Sequence, residues 1–138
     1  MNVQTHTLFS GSWRLLADRS EYEAGEPPLA GMYTIEPDGN DLVITIIWKD
    51  SCGHEHSVRY VITPDGKEYA YERPEIAEAV MARFTGERAL ETFAFKGGQT
   101  TAHAERLVSE DGRSMVITQK IRLPDGQEVR NVQYYERV

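Results

Sequence analysis

The C-terminal stretch Ser114-Met115-Val116-Ile117-Thr118-Gln119-Lys120-Ile121-Arg122-Leu123-Pro124-Asp125-Gly126-Gln127-Glu128-Val129-Arg130-Asn131-Val132-Gln133-Tyr134-Tyr135-Glu136-Arg137-Val138 decides the fold. Its two flanks alternate polar and apolar residues, the period of a half-buried strand, and the residues around Pro124 carry turn chemistry. The stretch reads as a β-hairpin, and Pro124 sets its register. A two-residue type I′ turn needs positive φ at both central positions, whereas proline is held near about −65°. If Asp125-Gly126 alone made the turn, Ile117 would sit opposite Tyr134. The favoured solution is a type I turn centred on Pro124 and Asp125, with Gly126 left-handed in a three-residue loop. Leu123 then pairs with Gln127, Ile117 with Gln133 and Met115 with Tyr135. Met115, Ile117 and Ile121 share a face with Val129, Gln133 and Tyr135, which makes an apolar wall carrying a few polar groups.

Similar turn chemistry recurs at Glu36-Pro37-Asp38-Gly39-Asn40 and Thr63-Pro64-Asp65-Gly66-Lys67, which predicts that the chain folds back on itself there too. Leu42, Ile44, Ile46 and Trp48 recur at period two and are expected to point inward. Further strands are predicted over Phe9 to Leu16, Ala30 to Glu36, His54 to Ile62, Glu68 to Tyr71, Arg88 to Lys96 and Gln99 to Val108. The segment from Pro74 to Phe84 has helix formers and Ile76, Val80 and Phe84 at spacing four, yet Val80, Ala82 and Phe84 also alternate; a strand from Ala79 to Phe84 is kept on context. Ala17 to Leu29 reads as a loop flanking a cavity mouth. The result is an all-β chain of about ten antiparallel strands. Short consecutive turns favour an up-and-down β-barrel over a Greek-key sandwich.

The 138 residues, 40% of them hydrophobic, suit one domain spanning 1–138 with a core that needs no staple. The lone Cys52 has no internal partner, and Met1 to Thr7 lacks the pattern of a secretory signal, so a cytoplasmic location is expected. No apolar run is long enough for a spanning helix. A net charge of −7 without a basic block argues against nucleic acid.

Phe9-x-Gly11-x-Trp13 and Tyr135-Glu136-Arg137 resemble the two ends of intracellular fatty-acid-binding proteins and other calycins. Asp65-Gly66-Lys67-Glu68-Tyr69 and Ser109-Glu110-Asp111-Gly112-Arg113-Ser114-Met115 resemble bacterial lipocalin-like proteins. The resemblance spans nearly the whole chain and implies a ten-stranded calycin-like barrel around a cavity that binds a hydrophobic ligand. Two departures stand out. Ala17 to Leu29 is too short for the helical pair that closes the fatty-acid-binding proteins. Their carboxylate-holding Arg-x-Tyr pair corresponds here to Gln133 and Tyr135, and glutamine lacks the charged bidentate grip of arginine. A neutral polar ligand, such as an alcohol, aldehyde or amide, is therefore expected rather than a free fatty acid.

Ligand contacts are expected from Gln133, Tyr135, Ile117, Met115, Ile44, Ile46, Trp48 and Trp13, the two tryptophans leaning toward packing. The bland alternative is that Gln133 and Tyr135 bond each other or buried water in a filled core. A second polar set lies on one strand. His103 and Glu105 point inward as a proton-transfer pair, or they point outward and Arg106 points inward to meet an anion. The Glu110-Asp111-Gly112 turn leaves that face open. His54-x-His56 with Cys52 or His103 falls short of a diagnostic metal pattern, and no metal or other cofactor is expected. Three readings remain: a carrier or sensor of a small hydrophobic ligand; a cyclase, isomerase or hydratase using His103, Glu105 or Tyr135; and a scaffold barrel without a ligand, with an exposed strand edge open to homodimer pairing.

Overall fold

The computed structural model describes residues 8–138; Met1 to Thr7, read above for a secretory signal, lies outside the described residues. The chain forms β1 (Gly11–Leu15), a single 3₁₀ turn (Ala17–Arg19), β2 (Glu21–Tyr22), β3 (Ala30–Asp38), β4 (Asp41–Lys49) and β5 (Glu55–Ile62). It continues through β6 (Asp65–Ala70), β7 (Ala79–Gly86), β8 (Ala89–Lys96), β9 (Gln99–Val108), β10 (Ser114–Arg122) and β11 (Glu128–Arg137). The strands pair antiparallel in the order β5-β4-β3-β1-β11-β10-β9-β8-β7-β6, and β2 joins β11 beyond the end of β1. This is a curled meander whose first and last strands meet, β1 on β11. Local helix propensity at Pro74 to Phe84 yields a turn, with Ile76 N–H donating to Arg73 O, before β7 takes its place in the sheet.

The C-terminal hairpin has the register that Pro124 dictates. Leu123 N–H donates to Gln127 O at 2.8 Å, Gly126 takes φ 89°, and Ile117 and Met115 pair with Gln133 and Tyr135. The other two Pro-Asp-Gly sites differ from it and from one another. Pro37 lies inside β3 opposite Leu42, so the connection shrinks to Gly39-Asn40, with left-handed Gly39 in the first position where a type II′ turn requires glycine. At Thr63 to Lys67 the expected hairpin does not form. β5 pairs only with β4 and β6 only with β7 along the sheet, so this site separates the two sheet edges. Charged residues Glu55, Arg59, Lys67 and Glu68, and a register shift between Asp65 and Glu68, blunt those edges against strand addition.

Chain direction sorts the barrel into two ends. One end gathers the start of β1, the end of β11, the β3–β4 turn and the β9–β10 turn, and it is packed solid. Phe9, Trp13, Ile35, Leu42, Ile44, Leu90 and Met115 are fully buried there. Arg137 closes this end. Its guanidinium lies 4.1 Å from the Trp13 ring centroid and donates to the carbonyls of Ser10 (2.6 Å), Leu8 (2.6 Å) and Gly112 (2.7 Å). Gly11, at φ 126°, lets the guanidinium approach, because a Cβ there would stand 2.6 Å from Arg137 Nη1. The sequence elements Phe9-x-Gly11-x-Trp13 and Tyr135-Glu136-Arg137 thus meet in one clasp.

Candidate cavity site

The opposite end, framed by the β4–β5 and β10–β11 turns, holds a cavity of about 370 Å³. Alternation delivers its walls layer by layer. On β4, Trp48 and Ile46 line it and Ile44 lies below; on β10, Gln119 and Ile117 line it and Met115 lies below. On β9 the lining residues are Ala104 and Arg106, with Val108 beneath, and on β3 they are Gly31 and Tyr33, with Ile35 beneath. The floor is therefore a layer containing Leu15, Tyr33, Ile46, Tyr60, Arg106, Ile117 and Tyr135, resting on the filled apolar end.

Arg106 is the chemical centre of that floor. It is 5% exposed and points inward because the β9–β10 ladder sets it opposite Ile117. Its Nε donates to Tyr33 Oη at 2.9 Å, Nη1 to Thr92 Oγ1 at 2.9 Å, and Nη2 reaches Tyr60 Oη at 3.4 Å. All three partners are hydroxyls. Burial opposes the charge on Arg106 and the Tyr33 and Tyr60 hydroxyls support it; the balance is upward, so it is a guanidinium at neutral pH. Burial also pushes the Tyr33 hydroxyl well above the ordinary phenol range, which keeps it neutral. No carboxylate pairs with Arg106 among the described residues. A guanidinium has five N–H donors, so two remain after these three bonds. A buried cation without a counter-ion is costly, and an anion brought to it recovers part of that cost.

Neutral polar groups complete the site. Tyr135 is 5% exposed, lies edge-on to Tyr33 with centroids 5.5 Å apart, and its hydroxyl has no hydrogen-bond partner among the described residues. Burial, first of all, pushes the pKa of its hydroxyl up too, so it enters the cavity as a neutral donor. Gln133 Nε2 donates to Tyr22 Oη at 3.2 Å rather than to Tyr135, so the bland expectation of a Gln133–Tyr135 bond is not met. Tyr22 stands on β2, which the loop reading of Ala17 to Leu29 passed over. Asn131 ties that segment down: its buried Oδ1 accepts from the amides of Glu23 (2.9 Å) and Ala24 (3.1 Å), and Nδ2 donates to Ala24 O (3.2 Å). Ala24, Glu26 and Pro28 thereby become part of the mouth, as a cavity-flanking loop should.

Among the sequence-predicted contacts, Gln133, Tyr135, Ile117, Ile46 and Trp48 line the cavity. Met115, Ile44 and Trp13 do not. They belong to the solid layer beneath, because one step of two residues along a strand moves a side chain from the cavity into the filled end. The proton-transfer pair is also corrected. His103 and Glu105 share the outer face of β9, opposite in sense to Arg106 and Tyr135, so the three groups His103, Glu105 and Tyr135 do not converge. His103 Nε2 instead lies 2.7 Å from Glu91 Oε2, a contact that, together with the Arg83 ion pair at 3.1 Å, holds the Glu91 carboxyl below its usual range. The β9–β10 connection explains the outcome: Ser109 pairs with Ser114 across a four-residue loop, and a loop one residue shorter would have turned His103 inward. His54 and His56 both approach Asp50 Oδ2, at 3.7 and 2.8 Å, and no group of three ligands suited to a metal occurs among the described residues.

Tyr33, Tyr60 and Thr92 escaped the sequence reading. Tyr33 and Tyr60 were within reach, since they pair with the inward residues Ile46 and Ile44. The inward alternative for Arg106 carries the charge that Gln133 lacks.

The arrangement of a curled meander, solid at one end and hollow at the other, recurs in solved structures. Zebrafish ileal bile acid-binding protein, complexed with cholic acid, superimposes with a TM-score of 0.56 at 15% identity over 95% of this chain and 99% of that one. The fold is calycin-like. The siderocalin Ex-FABP gives a TM-score of 0.52 at 14% identity, covering 95% of this chain and 74% of its own. Bovine odorant-binding protein, in complex with a selenium-containing odorant, gives 0.50 at 10% identity, covering 100% and 74% respectively. No family model matches the sequence, and no curated protein does. At these identities the likeness establishes the calycin-like barrel and nothing finer. No helix among the described residues is long and apolar enough to cross a membrane.

Proposed function

We propose that this protein is a carrier or sensor of a small hydrophobic ligand, held in the mouth-side cavity with an anionic end against Arg106. The observation that carries the reading is the buried guanidinium, partnered by three neutral hydroxyls and by no carboxylate. Ile46, Trp48, Val58, Leu15 and Ile117 supply apolar walls for the rest of the guest. The bile-acid and odorant complexes of its structural neighbours support the use of such a barrel for apolar guests. The neutral ligand expected from Gln133 gives way in this reading, since the cation absent from β11 is supplied by β9.

Isothermal titration with phenylacetate and with its neutral counterpart phenethyl alcohol tests the proposal. The acid should bind at least about tenfold more tightly, a difference of about 1.4 kcal/mol, and Arg106→Met should remove that preference. Equal affinities in the native protein would contradict it.

A further inference from the structure

The cavity's size and its unpaired polar groups narrow the ligand further, on the premise that an anion seats at Arg106. The space of about 370 Å³ stands at the small end of the roughly 300–1,000 Å³ of ligand pockets. The floor leaves little room for deepening. Beneath it Trp13, Ile35, Ile44 and Met115 are at most marginally exposed, and close-packed interiors resist opening because each lost contact and each created void is destabilising. A long acyl chain seated head-first at Arg106 would run out of walls and leave its tail in water, where it gains no burial.

Polar groups are spread over the wall rather than gathered at Arg106. The Tyr135 hydroxyl is buried and without a partner at the floor. Nearer the mouth, the Gln119 amide and the Gln133 Oε1 face the same space and have no hydrogen-bond partner among the described residues. Filling this cavity with a purely hydrocarbon body would strip water from these groups without replacing its hydrogen bonds.

We infer that the ligand is a compact carboxylate carrying a second, neutral hydrogen-bonding group such as a hydroxyl. Long-chain fatty acids and steroid acids lie outside the selected class. The acid uses the two spare donors of Arg106, the ring or short branched body fills the space between Ile46, Trp48 and Ile117, and the distal hydroxyl meets Gln119 and Gln133.

A titration panel on the native protein separates this inference from the reading beneath it. The probes are para-hydroxyphenylacetate, phenylacetate, palmitate and cholate, followed by calorimetry. The inference predicts that para-hydroxyphenylacetate binds several-fold more tightly than phenylacetate, and that palmitate and cholate bind no more tightly than phenylacetate. Palmitate or cholate binding tenfold more tightly than the compact acids, with the gain lost in Arg106→Met, would overturn the inference and leave the anion-binding cavity standing. A para-hydroxyl that makes no difference would also overturn it. Failure of all four probes to bind would remove the underlying proposal with it.

Discussion

Replacing Arg106 by methionine separates a ligand-binding role from a structural one. The guanidinium is 5% exposed and its three hydrogen bonds go to neutral hydroxyls, so the folded protein carries an ion desolvated without ionic compensation. Replacing a buried ion pair or triad by apolar side chains of similar volume is neutral to stabilising, by about 1–4 kcal/mol, and Arg106, with no ionic partner among the described residues to leave behind, falls on the same side. Against this stand three lost hydrogen bonds to a charged donor, each worth about 1.5–3 kcal/mol, offset where Tyr33, Tyr60 and Thr92 turn their hydroxyls to cavity water. The expected result is a ligand-free stability within about 2 kcal/mol of the native value. Affinity for a carboxylate ligand should meanwhile fall by about 2–5 kcal/mol, the usual cost of truncating one partner of a buried charge pair. Urea denaturation gives the first quantity and calorimetry the second. A variant that unfolds readily yet retains full carboxylate affinity would refute the reasoning and make Arg106 a structural brace.

Other expectations follow from the same geometry. Gly11→Ala should destabilise the protein by about 1–3 kcal/mol, because φ 126° is strained for alanine and the new Cβ would press on Arg137 Nη1; an unchanged denaturation midpoint would show that the clasp yields. The Tyr33 and Tyr135 phenols hold their protons more tightly folded than unfolded. Their contribution is therefore complete below about pH 10 and is lost as pH rises through the higher folded values, at about 1.4 kcal/mol per pH unit for each. Denaturant midpoints measured across alkaline pH should fall, more steeply in the native protein than in Tyr135→Phe, and a flat profile would contradict the burial of these groups. The double substitution His103→Gln with Glu105→Gln should change carboxylate affinity by no more than about 0.5 kcal/mol, since both side chains sit outside the barrel; a large loss would bring them back into the site.

Legibility in the sequence tracked how tightly each turn constrains its neighbours. Pro124 favours one loop geometry, so the inward orientation of Ile117, Gln133 and Tyr135 is legible in the sequence. Pro37 illustrates the limit of the same motif, because a proline is tolerated within β3 and the turn moved on to Gly39-Asn40. At Pro64 the motif ends a strand without starting a hairpin, since whether β5 and β6 pair depends on barrel closure and not on the local loop. Period-two patterns told inside from outside but not cavity from packed end. Ile44 and Ile46 look alike in sequence, and only the three-dimensional layering places the first below the floor and the second in the wall. The face of Arg106 turned on the length of the Glu110 to Arg113 loop, where no proline limits the choice.

The central claim, that an anion seats on the buried guanidinium, is met most directly by nuclear magnetic resonance of the arginine side chains. With Arg106 Nε–H assigned through its loss in Arg106→Met, addition of phenylacetate should shift that resonance saturably, with the same midpoint as the calorimetric titration. Phenethyl alcohol should leave it nearly unmoved. A saturable response confined to surface arginines such as Arg14 or Arg83, with Arg106 Nε–H unchanged, would contradict the account.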